Sequence, residues 1–237
     1  MQKDNSPVID EMFKAGAHFG YSKSRRHPST AKYIFATKNK VDIIDLEKTE
    51  ELLASAEAFM KSLGATGKQV LMVGVKPEAK ATVGRAAAEL VMPYVTERWV
   101  GGILTNFSEI KKRIARLEDL REQKEKGELE KYTKKERLLI DREVEKMNTH
   151  FGGLVTLKKM PDALLVVDPK REYIAVAEAR VMGVPVIALL NTDCDIKNID
   201  HPILGNDASM TSIAYFVDAL AEAYRSGLAV RPEAAAA

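Results

Sequence analysis

Four aspartates that follow predicted strands are the residues best placed to do chemistry. Asp168, Asp193 and Asp195 come soon after apolar runs, and Asp207 follows a further loop. Because the carboxyl ends of parallel strands meet at one edge of a sheet, their oxygens suit a hard cation such as Mg²⁺. His18 would add a nitrogen ligand and so permit Zn²⁺. The alternative, which we favour, is that the aspartates form turns and cap helices, and that His18 is a packing residue.

A basic segment near the N-terminus is a candidate for binding a polyanion. Between Glu11 and Asp42 there is no acidic residue, whereas from Asp162 onward six basic residues face eleven acidic ones, a net charge of −5. Each cation placed near a phosphate releases condensed counterions, so this segment favours nucleic acid over a solvated loop. Its cations are Lys14, Lys23, Arg25, Arg26, Lys32, Lys38 and Lys40, together with His18 and His27.

The segment from Arg98 to Gly102 reads Arg-Trp-Val-Gly-Gly and contains the only tryptophan, Trp99. One interpretation is a crossover in which Trp99 fills the core and Gly101 and Gly102 adopt positive φ. The other is a close-approach loop in which Arg98 and the glycine amides bind phosphate. The sequence leaves both interpretations open.

The sequence lacks the common motifs by which enzymes bind nucleotides or carry out hydrolysis. It has no G-x-G-x-x-G, no G-x-x-x-x-G-K-[ST], no G-x-S-x-G and no H-E-x-x-H. The turn from Gly74 to Ala79 is too poor in glycine to wrap a diphosphate, and Pro77 there suits a helix start. We therefore predict that the protein is not an enzyme.

Length and composition narrow the class of protein further. The chain has 237 residues, of which 46% are hydrophobic and 30% charged, enough for one domain with an insertion. Cys194 is the single cysteine, which excludes an internal disulfide and a thiolate-rich metal site. Every apolar run is far shorter than the roughly 20 residues of a membrane span. We expect a cytoplasmic protein with no membrane contact.

Short apolar runs that alternate with helical patterns predict a parallel sheet flanked by helices. Most runs are β-branched and apolar on both faces, as in buried parallel strands. A weaker run at 93–98 is a possible fifth strand, and 33–35 would pair with the first run across the turn at 38–40. The main runs are 41–46, 69–75, 163–168 and 184–190, and the predicted helices are 48–62, 78–90, 172–182 ended by Gly183, and 208–225 ended by Gly227.

A pair of charged helices is predicted between Asn106 and His150. Asn106 and Glu109 form an N-cap pattern before the apolar stripe Ile110, Ile114, Leu117 and Leu120. Thr133 and Glu136 cap a second helix that carries Leu138, Leu139, Ile140, Val144 and Met147. Narrow apolar stripes of this kind suit an antiparallel hairpin of the coiled-coil type. We therefore divide the chain into an α/β domain at 1–105 and 151–230 with its basic segment at 12–40, a hairpin insertion at 106–150, and a flexible tail at 231–237.

Several of these features coincide, in order and with suitable spacing, between Phe13 and Tyr224. Together they resemble the family of bacterial small-subunit ribosomal proteins conventionally numbered two. As a set these motifs are highly specific, although each piece alone is not. The matching pieces are Ala-His-Phe-Gly at 17–20, Arg25 with Arg26, 33–35, 43–49, 98–107, 164–169, Ala-Val-Ala-Glu-Ala at 175–179, and Gly-Asn-Asp at 205–207.

The resemblance implies a fold, a function and a set of partners. The fold is flavodoxin-like, a doubly wound five-stranded parallel sheet with an inserted antiparallel helical hairpin. The function is non-catalytic: contact with small-subunit ribosomal RNA and neighbouring ribosomal proteins, and help in docking the large mRNA-binding small-subunit protein, without homo-oligomerisation. The candidate RNA-binding residues are Lys23, Arg25, Arg26, Lys32, Lys38, Lys40, Arg98, Trp99, Gly101, Gly102, Asn106, Lys111 and Lys112.

The sequence departs from the family pattern at the residues that can bind a metal. Family members can carry one near the histidine of the His-Phe-Gly motif, with acids that correspond to Asn191, Asp207 and Ala208 here. Two of those acids are missing, and Asp193 lies two residues beyond Asn191, on the same face of an extended strand. We expect no cofactor, with His18, Asp193 and Asp207 as the remaining candidates for Zn²⁺ or Mg²⁺.

Two other functions compete with the RNA-binding one. The first is a metal-dependent phosphotransfer or hydrolase domain that uses Asp168, Asp193 and Asp195. The second is an adaptor that binds proteins through the hairpin and has no role with nucleic acid.

Overall fold

A computed structural model describes residues 6–230, so the predicted flexible tail at 231–237 lies outside the described residues. The helices are α1 (Pro7–Lys14), α2 (Leu46–Ala65), α3 (Pro77–Leu90), α4 (Phe107–Glu125), α5 (Lys134–Phe151), α6 (Tyr173–Met182) and α7 (Met210–Val230). The strands are β1 (Phe19–Ser22), β2 (Ile34–Lys38), β3 (Val41–Ile44), β4 (Val70–Val73), β5 (Tyr94–Val95), β6 (Ala163–Val167), β7 (Val186–Leu190) and β8 (His201–Leu204). None of the helices in this range has the length and apolar character needed to cross a bilayer.

Five strands form one parallel sheet in the order β5-β4-β6-β7-β8. In chain order this is 2-1-3-4-5, the flavodoxin-like doubly wound topology, and the predicted fold class is confirmed. β8 was not predicted. It begins with His201 and Pro202, which hide its apolar character, and it lies at the sheet edge, where proline is tolerated.

The run at 41–46 was predicted wrongly as a strand of the parallel sheet. β3 instead lies in the middle of a separate antiparallel sheet of order β1-β3-β2. Its inward positions alternate, with Asp42 and Ile44 buried and their neighbours half-buried, which suits a sheet with one covered face. The predicted pairing of 33–35 with this run is confirmed, through a two-residue turn in which Asn39 and Lys40 have φ of 51° and 65°.

Thr192, just after β7, fixes the antiparallel sheet to the parallel one. Its hydroxyl accepts a hydrogen bond from the Tyr21 amide at 3.0 Å. Its carbonyl accepts from the His27 amide and the Thr30 hydroxyl, both at 2.8 Å. Gly20 lies so close that a Cβ there would stand 2.7 Å from Thr192 Cγ2. The basic segment is therefore held against the carboxyl edge of the parallel sheet.

Two apolar layers cover the parallel sheet, one on each face. One face, with Met72, Leu165 and Leu189, packs under α1, α2, α3 and α7. The opposite face, with Leu71 and Leu164, packs under α6, the loop after β5 and the base of α4 and α5. Neighbouring residues of one strand thus enter different cores, which explains the unbroken apolar runs of β4, β6 and β7.

Helices α2 and α7 approach each other through two glycines. A Cβ on Gly64 would stand 2.2 Å from the Tyr224 carbonyl oxygen, and one on Gly227 would stand 2.2 Å from the Lys61 carbonyl oxygen. Gly227 was predicted to end α7, but the helix continues to Val230. The glycine therefore serves close helix packing, whereas Gly183 ends α6 in the left-handed conformation as predicted.

Helices α4 and α5 lie side by side, joined by a short connection at 126–133. Salt bridges Arg116–Glu143 and Lys124–Asp141 at 3.1 and 2.6 Å show that the two helices run antiparallel. The capping box of Thr133 and Glu136 is present, but the side chain of Asn106 makes no capping bond. The predicted stripe of α4 is buried. On α5, Leu138 and Leu139 are exposed instead, because they lie beyond the side that faces α4.

Candidate nucleic-acid interface

A buried lysine occupies the carboxyl edge of the parallel sheet. Lys76 follows β4 and Asp168 follows β6, the two strands between which the strand order reverses and where this fold binds ligands. Lys76 Nζ lies 3.3 Å from Asp168 Oδ2, 3.1 Å from Asp207 Oδ2 and 3.3 Å from the Tyr21 hydroxyl. The ammonium group thus sits between the two carboxylates.

Lys76, Asp168 and Asp207 form a charge cluster in which burial and neighbouring charges shift the pKa values of Lys76 and Asp207. Burial alone would lower the pKa of Lys76, but the facing charges of Asp207 and Asp168 outweigh it and the pKa is raised. Burial and the charge of Asp168 raise the pKa of Asp207 to about 6, although Lys76 and Asn191 oppose them. Nearby, burial raises the pKa of Glu172 to about 7. The cluster is a packed network of internal charges.

The remaining strand-end aspartates are also occupied. Asp193 Oδ2 lies 2.8 Å from Lys170 Nζ. Asp195 caps the short 3-10 turn at 196–198 by accepting from the Lys197 amide at 3.1 Å. Asp168 accepts from the Arg171 amide at 3.1 Å. Asp195 and Asp168 thus make the cap and turn contacts that we favoured from the sequence, whereas Asp193 forms a salt bridge.

The candidate metal ligands do not form a metal site. The His18 ring stacks on Phe13 with a centroid distance of 4.4 Å and meets the tilted ring of Phe19 at 4.0 Å, and burial lowers the pKa of His18. Asp207 is engaged by Lys76 and by the Asn191 amide nitrogen at 2.9 Å, and Asp193 is held by Lys170. Among the side chains that the structure describes, no three or more His, Cys, Asp or Glu cluster so as to hold a metal. The residues present do not fit a resident Zn²⁺ or Mg²⁺.

Exposed cations project from the antiparallel sheet. Lys23, Arg25, Lys38 and Lys40 are all exposed. The Lys23 amide donates to the Lys40 carbonyl at 2.9 Å, which places these two residues side by side. The four cations are named the small-sheet cations below. Phe35, on β2 of the same sheet, is 77% exposed.

Arg25 and Lys32 are exposed cations that also contact aromatic rings. The Arg25 guanidinium lies 4.8 Å from the centroid of Tyr21, and Lys32 Nζ lies 4.8 Å from that of Tyr33. Such contacts hold a cation over a ring without neutralising its charge. Both remain available to phosphate.

Arg26 is different from its neighbours because it has an internal partner. Its guanidinium donates to both oxygens of the buried Asp42 at 2.7 and 2.5 Å, and to the Thr37 hydroxyl at 2.9 Å. The hydrogen bonds from Arg26 lower the pKa of Asp42 against the effect of burial. The expectation that no carboxylate opposes the seven cations is thus wrong for Arg26, because Asp42 folds back onto it across the sheet.

The loop from Arg98 to Asn106 encloses a carboxylate of the protein itself. Glu178 Oε1 accepts from Trp99 Nε1 at 3.1 Å and from the Gly102 amide at 2.7 Å. Its Oε2 accepts from the amides of Leu104 and Thr105 at 3.0 and 3.1 Å, and from the Thr105 hydroxyl at 3.2 Å. Burial would raise the pKa of Glu178, but these hydrogen bonds outweigh it and the pKa is lowered.

The structure therefore separates the inner residues of this loop from the outer ones. Trp99 is 6% exposed and Gly102 has φ of 95°, so both have the structural role that was one of the two open interpretations. Gly101 is exposed and its φ is not positive, contrary to that interpretation. Arg98 and Asn106 face solvent, as do Lys111 and Lys112 in the first turns of α4, where Lys112 pairs with Glu109 at 2.7 Å.

Sequence reasoning missed three of the residues that shape this surface. Lys76 and Glu178 look like ordinary surface charges, because their partners lie far away in the chain. Glu178 does stand in the Ala-Val-Ala-Glu-Ala motif at 175–179, where a charge among alanines on a helix packed against the sheet was the available signal. Phe35 lies within the basic segment at 12–40 and was assigned only to a strand.

These features define a class: a doubly wound α/β protein whose ligand cleft is filled by its own lysine and whose N-terminal sheet exposes free cations. Comparison with known proteins gives the family. The profile of the family described as ribosomal protein S2 matches residues 12–227.

Three similar proteins all carry the name small ribosomal subunit protein uS2. The protein of Sulfurimonas denitrificans is 43% identical over 224 residues, which are 94% of this chain and 86% of that protein. The protein of Chlorobium chlorochromatii is 42% identical over 214 residues, 90% and 85% of the two chains. That of Mycolicibacterium vanbaalenii is 40% identical over 229 residues, 97% and 84% of the two.

The chain belongs to the ribosomal protein S2 family, which confirms the resemblance seen in the sequence. The family is one of structural, non-enzymatic ribosomal proteins. The protein is accordingly a structural constituent of the ribosome, active in translation and located with the ribosome in the cytoplasm. The prediction that it is not an enzyme is confirmed, and the phosphotransfer alternative is wrong.

Proposed function

We propose that the protein binds small-subunit ribosomal RNA chiefly through the small-sheet cations. The observation that carries this proposal is that Lys23, Lys38 and Lys40 are exposed and close together, and that among the described residues their side chains form no hydrogen bond or salt bridge. Unpaired cations can be transferred to phosphate without first breaking an internal salt bridge. Phe35, exposed on the same antiparallel sheet, offers a ring on which an unpaired base can stack.

The outer side of the loop at 98–106 forms a second part of this RNA surface. Arg98 is exposed and without a partner among residues 6–230, and Asn106 leads directly into α4. Lys111 is likewise unpaired and exposed one turn into that helix. Arg26, Trp99 and Gly102 support the surface from within and do not contact RNA themselves.

The proposal assigns protein partners to two other regions. The hairpin insertion at 106–150 exposes Leu138 and Leu139 on α5, which suits a neighbouring ribosomal protein. Phe13 and Phe19, 59% and 49% exposed around His18, form an aromatic surface for the large mRNA-binding small-subunit protein. Both contacts use side chains already present and require no metal, and the protein joins the subunit as one copy.

A charge-matched pair of variants tests the RNA proposal. The first carries Lys23→Gln, Lys38→Gln and Lys40→Gln. The control carries Lys61→Gln, Lys68→Gln and Lys158→Gln. These three lysines are exposed and unpaired, and they lie away from the antiparallel sheet. Lys68 and Lys158 come just before β4 and β6, at the opposite edge of the parallel sheet. Binding to small-subunit ribosomal RNA is measured over a salt series, together with entry into small subunits.

We expect only the first variant to bind RNA with lower affinity and with a weaker dependence of binding on salt concentration. Each lost phosphate contact should reduce the log–log salt slope by about 0.7–0.9. The proposal fails if the two variants, both folded, bind RNA with the same affinity and slope as the unaltered protein. In that case the hairpin alone would hold the protein in place through other proteins.

A further inference from the structure

The loop at 98–106 has the anatomy of an anion-binding site that the protein fills by itself. Three backbone amides, an indole N–H and a hydroxyl converge on the Glu178 carboxylate, and both of its oxygens are used. Glu178 is only 8% exposed, so a phosphate from outside cannot displace it. Convergent amides of this kind bind anions in many proteins.

We propose that Glu178 is the positioning residue of the RNA-contacting loop: its charge holds the inner side of the loop, and thereby fixes Arg98 and Asn106 at the surface where RNA is bound. The part about RNA rests on the proposed function, whereas the part about the loop does not. Glu178 itself touches no RNA.

The hydrogen-bond pattern requires a carboxylate and not merely a polar side chain. Oε1 serves Trp99 and Gly102, while Oε2 serves Leu104 and Thr105. A glutamine has one oxygen and one NH₂ group, so one of the two sets of donors would face another donor. Buried amides without an acceptor lower the stability of the folded state. We therefore expect the loop to move until these amides can donate to water.

The loop geometry transmits this constraint to the surface. Gly102 adopts φ of 95°, and its carbonyl accepts from the Asn106 amide at 2.8 Å. Asn106 is the residue before α4, and Arg98 precedes Trp99 directly. A shift of the loop therefore moves Arg98, Asn106 and the first turn of α4 together.

The single tryptophan of the chain makes the inference directly measurable. Trp99 donates to Glu178 and is buried, so its emission and its quenching by acrylamide report on this loop alone. Three full-length variants are compared: Glu178→Gln, Glu178→Ala, and the control Glu172→Gln, which alters another buried glutamate at the start of the same helix. Far-UV circular dichroism establishes that each is folded.

We expect Glu178→Gln to shift Trp99 emission to the red and to increase its quenching, with Glu172→Gln unchanged. RNA affinity should fall severalfold, with a salt slope smaller by about 0.7–0.9 for the lost Arg98 contact. In Glu178→Ala, acetate at a fixed ionic strength should restore buried Trp99 emission, because it replaces the missing carboxylate. A neutral additive such as acetamide should not.

The outcomes separate this inference from the proposed function. Unchanged Trp99 emission and quenching in folded Glu178→Gln overturn the role of Glu178. A loosened loop with unchanged RNA affinity overturns the placement of Arg98 on RNA. If the small-sheet variant binds RNA normally while Glu178→Gln does not, the small-sheet proposal fails and this one stands. Should Glu178→Gln not fold, Thr105→Val removes one donor, and a smaller change in the same direction is required of it.

Discussion

Lys76 Nζ lies 3.1 Å from Asp207 Oδ2, in the place where flavodoxin-like proteins bind ligands. Asp207 is fully buried and Asp168 faces the same ammonium at 3.3 Å. The ammonium group thus lies between two carboxylates and offsets part of the repulsion between them.

Replacement of Lys76 by methionine should lower the free energy of unfolding by about 3–5 kcal/mol, because it leaves buried charge without a partner. The control is Lys80→Met on the same helix, whose salt bridge to Glu97 at 2.6 Å is partly exposed. That change should cost at most about 1 kcal/mol. Urea unfolding of both variants decides the matter, and equal losses would contradict the internal role of Lys76.

Glu172 should make the protein less stable as pH rises. Burial raises the pKa of Glu172 from its ordinary 4.5 to about 7, so the folded state holds a proton that the unfolded state releases between these values. Its contribution is present below pH 4.5 and is lost as pH rises through about 7.

Glu172→Gln should therefore flatten the pH dependence of unfolding between about pH 5 and 7.5, with a gain on the order of 1–3 kcal/mol at the upper end. The control is Glu118→Gln, which removes an exposed carboxylate on α4 and is measured at the same pH values. Thermal unfolding across this range measures both, and parallel profiles for Glu172→Gln and the unaltered protein would refute the prediction.

Two glycines in helices should respond oppositely to alanine. In Gly227→Ala the new Cβ would meet the Lys61 carbonyl at 2.2 Å, a backbone atom that cannot move without separating α2 from α7. In Gly84→Ala on α3 the new Cβ meets nothing within 4 Å. The first should lose about 2–4 kcal/mol of stability, as overpacked sites do at the upper end, and the second should gain about 0.5–1 kcal/mol. Loss of stability in both would mean that helix contact is not the reason for Gly227.

Neighbouring arginines should divide into one that stabilises and one that binds. Arg26→Met leaves the buried Asp42 with its hydrogen bond from Thr37 but without a cation, so we expect a loss of roughly 3 kcal/mol in unfolding free energy. Arg25→Met should leave stability within about 0.5 kcal/mol and reduce the salt slope of RNA binding instead. Denaturation and RNA titration of the two variants test this division. A weaker RNA contact with normal stability in Arg26→Met would reverse the assignment.

Metal analysis tests the charge cluster in another way. Because Lys76 and Lys170 engage Asp207 and Asp193, protein released from ribosomal subunits should contain no stoichiometric zinc. Elemental analysis measures this directly. Stoichiometric zinc that disappears in His18→Ala would show that these salt bridges open to admit the metal.

The sequence predicts β6 and β7 well because both are unbroken apolar runs between two covered faces. The sequence does not predict the place of β3. A short apolar run that contains Asp42 is compatible with either sheet, and only the contact of Asp42 with Arg26 shows which sheet it joins. Likewise, Lys76 meets Asp168 across 92 residues and Glu178 meets Trp99 across 79. When the partners of a buried charge are so distant in the chain, no local sequence pattern marks it. The sequence therefore could not distinguish cations with an internal partner from cations that are free.

The attachment at Thr192 sets the order in which the protein can be completed during its own synthesis. The basic segment is made early, but its anchor lies 162–171 residues further along for Thr30 and Tyr21. At about 5–20 residues per second, the interval between Lys40 and Thr192 corresponds to roughly 8–30 s of translation. Throughout that time the nascent chain carries its cations undocked beside RNA-rich surroundings. The N-terminal sheet, although made first, can therefore reach its final place only after Thr192 has been synthesised.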